Sequence, residues 1–572
     1  MDNKLDTIRH SVSHIAAAAV KQLFPGVKFA IGPTIDEGFY YDFDLPRPLT
    51  PQDLPRIEKR MTELIKQNLP FERYEVPFAK AMEMAREQPY KRELINEIQN
   101  KNETITFYKV NGFVDLCRGP HIANTKEINP KTFKLIKIAG AYWRGNEKNK
   151  MLQRIYGTAF LTEAELKKFL KQREEAEMRD HRKVGREQEL IAFHPTSPGA
   201  PFWLPKGMII FRELEKLWRE IHDAAGYQEI NTPIVNHKSL WEKSGHWDHY
   251  KENMFNFKID EELYSLKPMN CPGSTYVYAG KKRSYKELPL RFSEIGRLHR
   301  NEVKGALGGL FRVRQITMDD AHIFCRPDQI PAEISGVLKL IKQFYKIFSF
   351  NPRFVLSTRP KEFMGEIKDW DKAESDLTAS LKKNKVNYKV SPGDGAFYGP
   401  KVDVMIDDTL GRTWQMATIQ LDFQMPKRFN LVYTDKDGTE KHAAMIHRAI
   451  FGSFERFFGI LIEHYAGAFP IWLAPVQVQI IPVGSKHVKF SEKLGQQLMA
   501  EGLRVSVDDV NETVGYKIRK AEKMRVPYML VIGDKEMKAK SLAIRDRGKK
   551  VVRKVALKKF IAEIKKKITA KK

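Results

Sequence analysis

Hydrophobic and polar positions follow both helical and strand spacing in the N-terminal part of the chain. An apolar helical pattern over residues 15–24 ends at Pro25-Gly26, and the run over residues 38–43 predicts a strand. A charged helical pattern follows over residues 51–68, and residues 104–116 show the alternation that is typical of strands. This part of the chain therefore predicts a self-contained α+β domain.

Residues 162–189 are mostly Glu, Lys, Arg, Gln, Leu and Ala. They predict one long solvated helix with Leu166, Phe169 and Leu170 as its thin apolar edge, and we interpret it as a linker between domains. Pro and Gly residues cluster over residues 195–207 and mark a boundary.

The C-terminal half changes character near residue 475. Residues 200–473 combine short strands with several helices, whereas residues 475–548 alternate strand and helix patterns and predict a small α/β domain with parallel strand pairs. The predicted domains are residues 1–158, 196–473 and 474–572, with a helical linker at residues 159–195.

The last segment, residues 549–572, is rich in Lys and Arg and predicts a basic amphipathic helix. One helical face gathers its apolar side chains, which are Leu557, Phe560, Ile561, Ile564 and Ile568. Such a helix either packs on its own domain or binds a membrane or a calmodulin-type partner, and we favour packing on its own domain.

The composition indicates a globular protein with a polyanionic partner. Lys and Arg total 98 against 71 Asp and Glu, which gives a formal net charge of +27, while apolar residues make up 42% and charged residues 30%. These values exclude a disordered or fibrous chain. The basic excess favours nucleic acid as the partner, ahead of an acidic membrane surface or a merely basic soluble protein.

Cysteine content and the N-terminal residues indicate a cytoplasmic protein. Three cysteines, Cys117, Cys271 and Cys325, are too few for a disulfide scaffold and fit a reducing compartment. The first residues lack the features of a signal or transit peptide. Residues 465–484 carry no charge, but their prolines predict a helix end, a turn and a strand rather than a membrane span.

Two His and Cys pairs in the N-terminal part are candidates for chemistry. His10 and His14 lie one turn apart on a predicted helix, and Cys117 and His121 flank a Gly-Pro turn. If the pairs meet, they form either a zinc site or a water-activating cleft, and if they do not, the histidines are a polar helix face. The spacing leaves these alternatives open.

A second candidate site contains arginines suited to anions. Arg300 and Glu302 lie between a strand-like run and a second predicted strand over residues 311–316. Such a pair could hold a triphosphate and an amine, although Arg–Glu pairs near strands are often only surface ion pairs. Arg456 lies near the start of a predicted helix, where an anion is favoured.

Taken together, these segments resemble the class II aminoacyl-tRNA synthetases over nearly the whole chain, and within that class the threonyl-tRNA synthetase family. The first class II motif is resembled by residues 227–233 and 240–247, the second by residues 292–302, 311–314 and 319–324, and the third by residues 452–470. Residues 267–273, 397–403 and 418–423 are especially similar to the threonine enzymes.

The resemblance implies a multidomain α+β and α/β fold. The middle domain would be an antiparallel sheet flanked by helices in a homodimer, between an N-terminal α+β editing domain and a C-terminal α/β anticodon-binding domain. The implied activity is a threonine–tRNA ligase that activates L-threonine with ATP and Mg²⁺, transfers it to tRNA(Thr), and hydrolyses Ser-tRNA(Thr) at a separate site.

Roles for catalytic-domain residues are implied by the same resemblance. Arg300 and Arg456 would bind the phosphates of ATP, Glu302 and Ile316 its adenine, and Lys401 would join the arginines as a catalytic residue. One zinc ion is expected on Cys271, His322 and His447. The substrate-binding positions are Met318, Asp320, Tyr398, Gln415 and Gln420.

The resemblance also explains why two sites are expected. In this family zinc takes the amino and hydroxyl groups of threonine, which rejects valine, but serine differs by one methyl group worth only about 1–3 kcal/mol. A second, hydrolytic site is therefore needed. Its implied residues are His10, His14, Lys91, Asp115, Cys117 and His121. For this cluster we favour hydrolysis over zinc binding.

Anticodon-reading positions are implied at Asn511, Arg519, Glu536 and Arg545. The sequence also departs from the family pattern. Its first residues already resemble the editing domain, so we expect a form without the TGS domain that many relatives carry ahead of it. Ile316 stands where an aromatic residue is common, Met318 where a glutamine is, Ser274 where a histidine is and Ala417 where a glycine is. We expect an active enzyme with an altered pocket.

Two alternatives keep the fold without the ligase activity. One is an editing-only deacylase, and the other is a regulatory RNA-binding paralogue. The intact phosphate arginines and zinc ligands favour the ligase.

Overall fold

Apolar helix faces and strand alternation build a separate hydrophobic core in each of two units of the chain. The structure, a computed structural model, describes residues 3–539 and 541–572, and the two units divide between Glu174 and Glu175. The first unit has the predicted α+β character. The finer domain boundaries stay a prediction.

In the first unit, the helix Asn3–Leu23 packs on an antiparallel sheet. Its apolar stripe is buried, with Val12, Ile15 and Val20 all inaccessible to solvent. The strands of this sheet are Lys28–Phe29, Thr34–Ile35, Gly38–Asp44, Phe133–Tyr142 and Met151–Ala159. A second sheet and three helices complete the unit: strands Glu72–Glu75, Thr106–Val110 and Phe113–Leu116, and helices Asp53–Lys66, Phe78–Met84 and Pro89–Asn100.

The predicted single linker helix is wrong in one respect. The structure has two helices, Glu163–Arg179 and His181–Glu187, separated at Asp180. The Asp180 side chain accepts a hydrogen bond from the Arg182 amide and caps the second helix, and the His181 side chain turns into the core. A solvated helix would have left His181 exposed, so this segment is partly a structural element of the second unit.

The middle of the second unit is built on an eight-stranded sheet flanked by helices. Its central strands are antiparallel, which confirms the predicted architecture, and one strand at each edge pairs in parallel. In spatial order the strands are Gln228–Glu229, Leu290–His299, Gln315–Cys325, Ala444–Ser453, Thr413–Asp422, Lys401–Asp407, Arg353–Ser357 and Tyr388–Ser391. The main helices are Pro205–Ala224, Cys271–Ala279, Ile330–Ile347, Ile367–Lys383 and Phe454–Tyr465.

One predicted strand start is wrong. We expected the second strand of the hairpin to begin at Phe311, but the structure begins it at Gln315. The preceding residues form a loop, because Phe311 N bonds to Gly308 O and Arg314 N bonds to Gly199 O. This loop matters for the candidate site described below.

The last part of the second unit has the predicted α/β alternation. Strands Val478–Pro482, Val505–Val507 and Tyr528–Ile532 pair in parallel, and an antiparallel hairpin extends the sheet. The hairpin strands are Leu542–Asp546 and Val552–Val555, and the helices are Val488–Ala500, Val514–Lys523, Asp534–Lys538 and Leu557–Thr569. Phe560 and Ile564 of the basic helix are fully buried in this core, which confirms that the helix packs on its own domain.

Within residues 3–539 and 541–572, a search for helices long and apolar enough to cross a bilayer finds none.

Candidate functional site

Strand register brings residues that are far apart in the sequence onto one face of the eight-stranded sheet. His322 lies opposite His447 on the neighbouring strand, His447 lies opposite Gln420, and Gln420 lies opposite Lys401. Side chains at directly opposed positions point to the same face of a sheet. One row across four strands therefore gathers candidate metal and substrate residues.

This face is the floor of a cleft of about 520 Å³. Most of the predicted catalytic-domain site residues line it: Cys271, Arg300, Glu302, Ile316, Met318, Asp320, His322, Tyr398, Gln415, Gln420, His447 and Arg456. Lys401 lies at the end of the row but is not among the described residues that line the cleft. Its ammonium group forms an ion pair with Asp403 at 2.8 Å. Its catalytic role stays a prediction.

Positive charge is concentrated at one end of the cleft. Arg456 is on the first turn of helix Phe454–Tyr465, where Ser453 caps the helix by accepting from Arg456 N at 3.0 Å. Burial, with Arg300 and Arg312 nearby, lowers the pKa of Arg456. Converging guanidinium groups of this kind are expected where a polyanion binds.

Glu302 is held in place at the same end of the cleft. Arg312 Nε donates to Glu302 Oε2 at 2.8 Å, and Arg314 Nε donates to the Glu302 carbonyl at 2.9 Å. Sequence reasoning missed Arg312. The available signal was its place within residues 311–314, which resemble part of the second class II motif.

The middle of the cleft is apolar. Leu298, Val313 and Ile316 form a small buried cluster, and Met318 packs against it. Two of the four substituted positions that depart from the family pattern, Ile316 and Met318, therefore form one continuous apolar surface. Such a surface can hold a flat heterocycle by dispersion and burial.

Cys271, His322 and His447 converge beside this surface. Their ligand atoms all lie within 4.8 Å of one another, and all three side chains are buried. Burial raises the pKa of Cys271 well above its usual range, with Asp320 and Asp422 adding to the effect, and lowers the pKa of His322 well below its usual range. A cation would offset the cost of ionising a thiol so close to carboxylates, and Cys with two His is a donor set that zinc prefers.

Asp422 fixes the orientation of one of these histidines. Its Oδ2 lies 3.0 Å from His447 Nε2, and its Oδ1 accepts from Gln424 N at 2.6 Å and from Met425 N at 3.0 Å. Donation from Nε2–H to the carboxylate leaves His447 Nδ1 free to donate its lone pair to a metal. Sequence reasoning did not assign Asp422 a role, although it lies two residues after Gln420.

Three of the predicted substrate-binding residues, Asp320, Gln415 and Gln420, are also fixed by hydrogen bonds. Asn270 Nδ2 donates to Asp320 Oδ2 at 2.7 Å, and burial raises the pKa of Asp320. Gln415 Nε2 donates to Asp403 Oδ1 at 2.6 Å, and Gln420 Nε2 donates to Gly399 O at 3.2 Å. These bonds position side chains that could otherwise adopt many conformers.

The first unit contains a separate cavity of about 410 Å³ where the two predicted His and Cys pairs meet. Cys117 Sγ lies 3.3 Å from His10 Nε2 and 3.3 Å from His121 Nε2. The side chains of His10, His14, Cys117 and His121 offer ligand atoms within 4.8 Å of one another. The predicted pairs therefore meet, and the cleft and the zinc alternatives both remain compatible with the geometry.

Lys91 and Asp115 form a buried ion pair next to this cluster, at 2.6 Å. The Tyr41 hydroxyl donates to Asp115 and accepts from Lys91 at 3.3 Å, and His14 Nε2 lies 3.8 Å from Asp115. Sequence reasoning missed Tyr41. The strand alternation over residues 38–43 placed it on the buried face, which was the available signal.

Burial controls protonation in this cavity. It lowers the pKa values of His10, His14 and His121 below the ordinary histidine value and raises the pKa of Cys117 to about 12. At neutral pH the cluster therefore consists of neutral imidazoles around a protonated thiol. Neutral imidazole is the form that accepts a proton from water.

The four predicted anticodon positions lie on separate elements of the last domain, and only Arg545 is on a strand of its sheet. Asn511 and Arg519 are exposed, before and on the helix Val514–Lys523. Arg545 Nη2 donates to Glu522 Oε1 at 2.9 Å, and Glu536 Oε2 accepts from Gly533 N at 3.1 Å. Arg545 and Glu536 thus have intramolecular partners, and the reading of bases by these residues stays a prediction.

Comparisons with known proteins cover all three parts of the chain. Residues 255–465 match the family model described as tRNA synthetase class II core domain (G, H, P, S and T), residues 477–567 match the anticodon binding domain, and residues 105–156 match the threonyl and alanyl tRNA synthetase second additional domain.

Individual relatives match over most of their length. A threonine–tRNA ligase from Clostridium tetani is 52% identical over 560 residues, which cover 98% of this chain and 87% of that protein. Another from Acetivibrio thermocellus is 53% identical over 544 residues, or 95% and 85% of the two chains. A crystal structure of the RNA binding domain of threonyl-tRNA synthetase from Cryptosporidium parvum matches with a TM-score of 0.66 at 40% identity, over 68% of this chain and 98% of that one.

Proposed function

Because the chain belongs to the threonyl-tRNA synthetase family and is an aminoacyl-tRNA ligase for threonine, we propose that the cleft on the eight-stranded sheet activates L-threonine with ATP and that the cavity of the first unit clears Ser-tRNA(Thr). One observation carries the proposal. The candidate zinc ligands Cys271, His322 and His447 lie in the same cleft as the phosphate-binding candidates Arg300 and Arg456.

Different residues of the cleft bind different parts of the substrates, according to the chemistry of their side chains. The guanidinium groups of Arg300 and Arg456 bind the phosphates of Mg²⁺-ATP and stabilise charge as pyrophosphate leaves. The apolar surface of Ile316 and Met318 holds the adenine, and Glu302 contacts its amino group. Asp320, Tyr398, Gln415 and Gln420 surround the amino acid, whose carboxylate attacks the α-phosphate.

Cys271, His322 and His447 fit a zinc ion by their donor set, their convergence and the hydrogen bond that His447 donates to Asp422. Bound zinc would act as a Lewis acid that takes the amino and hydroxyl groups of threonine, whereas valine has no hydroxyl group to offer. The protein residues hold the site rigid, since Asp422 fixes the ring of His447 and Asn270 fixes Asp320.

In the first unit we assign hydrolysis of the seryl ester to the cavity lined by His10, Lys91, Asp115 and Cys117. Neutral His10 accepts a proton from the attacking water, and the ion pair of Lys91 with Asp115 orients the substrate end. The ring of His121 packs against the rings of both His10 and His14 and so helps to hold His10 in place. Zinc binding by the His and Cys residues is the second reading of this cluster.

The remaining assignments concern partners and location. We assign residues 1–158 to editing, residues 196–473 to catalysis, and residues 474–572 to anticodon binding through Asn511, Arg519, Glu536 and Arg545. The net charge of +27 supports binding along a tRNA. We further propose a homodimer in the cytoplasm, where the free thiols of Cys117, Cys271 and Cys325 would stay reduced.

Amino-acid-dependent ATP–pyrophosphate exchange tests this function directly. With zinc-replete protein, we expect exchange with threonine, less with serine and almost none with valine, because only the first two can offer a hydroxyl group. Absence of exchange with all three amino acids, from folded protein that contains zinc, would contradict the ligase and favour the editing-only deacylase or the regulatory paralogue.

Replacing Asp422 with asparagine should weaken zinc binding by roughly 10–100-fold. The asparagine oxygen can still accept from Gln424 N and Met425 N, but its amide group then donates to His447 Nε2. That bond selects the tautomer with a proton on Nδ1, which cannot donate a lone pair to a metal. Zinc affinity is measured by competition with a chromogenic chelator.

The control for this change is thermal unfolding without added zinc. Asp422→Asn should unfold near the wild-type temperature because the hydrogen bonds from Gln424 N and Met425 N are kept, whereas Asp422→Ala should lose both these bonds and zinc affinity. If Asp422→Asn binds zinc as tightly as the wild type, the role assigned to Asp422 is wrong.

A further inference from the structure

A buried histidine in the linker segment contacts the loop that carries part of the cleft. His181 is 2% exposed, although it lies only two residues after the end of the solvated helix Glu163–Arg179. Its ring Nδ1 lies 2.7 Å from Glu463 Oε1, and its backbone N donates to the same oxygen at 3.1 Å. All of these contacts lie within the second unit.

The second ring nitrogen of His181 and the ring itself contact the loop that precedes strand Gln315–Cys325. Leu310 N donates to His181 Nε2 at 2.9 Å, and the rings of His181 and Phe311 lie 4.2 Å apart. Gly309 has φ of +54°, and a Cβ atom there would lie 2.1 Å from His181 Nε2. The loop is therefore shaped closely around the histidine ring.

From the loop, contacts continue directly into the cleft. The Phe311 carbonyl accepts from Arg456 Nε at 3.2 Å, and Phe311 and Arg312 both line the cleft. Arg312 in turn holds Glu302. The His181 ring is thus separated from the candidate phosphate-binding group of Arg456 by a single residue.

Glu463 determines which nitrogen of His181 carries the proton. Donation from Nδ1–H to the carboxylate leaves the lone pair of Nε2 for the Leu310 amide. Glu463 is itself held by Arg412, whose guanidinium lies 5.6 Å from the Phe311 ring centroid and 5.1 Å from that of Trp414. The histidine, the carboxylate and the arginine form one connected support.

Asp180, His181 and Glu463 also have the spacing of a metal site. A metal is disfavoured here because both ring nitrogens of His181 already have partners, and Arg182 and Arg412 neutralise the two carboxylates. The contacts therefore favour a structural support over a metal centre.

We propose that His181 is a positioning residue that fixes the loop of residues 304–314 for ATP, so that the segment joining the two units contributes to the adenylation site. This inference rests on the proposed function of the cleft. It predicts that loss of the bond to Leu310 N weakens ATP use while threonine use is unchanged.

Three substitutions at His181 separate the two hydrogen bonds. The amide oxygen of His181→Gln can reach the position of Nε2 and accept from Leu310 N, whereas the amide of His181→Asn can reach only the position of Nδ1. In threonine-dependent exchange, we expect His181→Ala and His181→Asn to raise the KM for ATP by roughly 10- to 100-fold. His181→Gln should recover most of this loss, and the KM for threonine should stay within about twofold throughout.

Gln188→Ala is the matched control, because Gln188 lies just after the same short helix and its Nε2 donates to Gly467 O at 3.2 Å. It should lower the unfolding temperature without raising the KM for ATP. The proposal is overturned if Gln188→Ala raises this KM as much as His181→Ala, or if the KM for threonine rises in parallel with that for ATP. If the wild type shows no exchange, the proposed function itself fails, which is a distinguishable result.

Discussion

Replacing Cys271 with alanine is expected to remove bound zinc and to lower threonine-dependent ATP–pyrophosphate exchange by at least about 1,000-fold. Cys271 begins the helix Cys271–Ala279, and its sulfur lies within 4.8 Å of the ligand atoms of His322 and His447. Alanine keeps the helix but leaves two ligands, too few for a stable site. Metal analysis of purified protein and exchange assays measure both effects.

Cys325→Ala is the control for this change. Cys325 is also buried, at the end of strand Gln315–Cys325, but it belongs to the apolar core rather than to the metal cluster. Both substitutions remove one buried sulfur atom, so their packing costs are similar. Equal zinc loss in the two variants, or full zinc content in Cys271→Ala, would contradict the assignment.

The helices and the C-terminal sheet were predictable because their signals are local. The apolar stripe ending at Pro25-Gly26 predicted the first helix, and the alternation after residue 475 predicted parallel pairs that the structure confirms. The start of the helix at Phe454 followed from Gly452 and Ser453 before a long apolar run. In each case, residues within a few positions of one another determine the element.

The cleft was not predictable from spacing, because strand register creates it. His322 and His447 share a face only because their strands pair in one particular register, and a shift of one residue would place one ring on the opposite face. The pairing of the same two strands also shifts in register between Met318 and Asp320, which local periodicity does not predict. The resemblance to the family named these residues, and periodicity alone would not have done so.

Errors in the prediction also came from tertiary contacts. Residues 311–314 have strand-like alternation, yet His181 and Gly199 hold the surrounding segment as a loop. The linker was predicted as solvated because its composition is charged. His181 is nevertheless buried, because its ring makes two buried hydrogen bonds, one with Glu463 and one with Leu310 N. Such contacts join residues more than a hundred positions apart and leave no local signal.

Replacing His10 with alanine should slow hydrolysis of Ser-tRNA(Thr) by roughly 10²–10⁴-fold while charging with threonine is unchanged. His10 lines the cavity and is only partly buried, whereas His14 is almost fully buried, so His10 is the more accessible ring for water. Because burial lowers the pKa of His10, its ring should stay neutral, and hydrolysis should stay fast, until the pH falls below the ordinary histidine range.

The assay uses pre-charged Ser-tRNA(Thr) and follows release of serine, with threonine charging by the same variant as the internal control. Charging depends on the cleft, which lies in the second unit with a core of its own, so it reports whether that unit is folded. Parallel loss of both activities would indicate misfolding. Unchanged hydrolysis would exclude His10 as the proton acceptor.

Zinc content then distinguishes the two readings of the His10 cluster. If the cluster is hydrolytic, the wild type holds one zinc per chain, Cys271→Ala holds none, and His10→Ala keeps one. If it binds metal, the wild type holds two, and each variant loses one. The second result would leave the cavity without a free imidazole base, and the proton acceptor would then have to be sought among its other residues, Lys91 and Asp115 first.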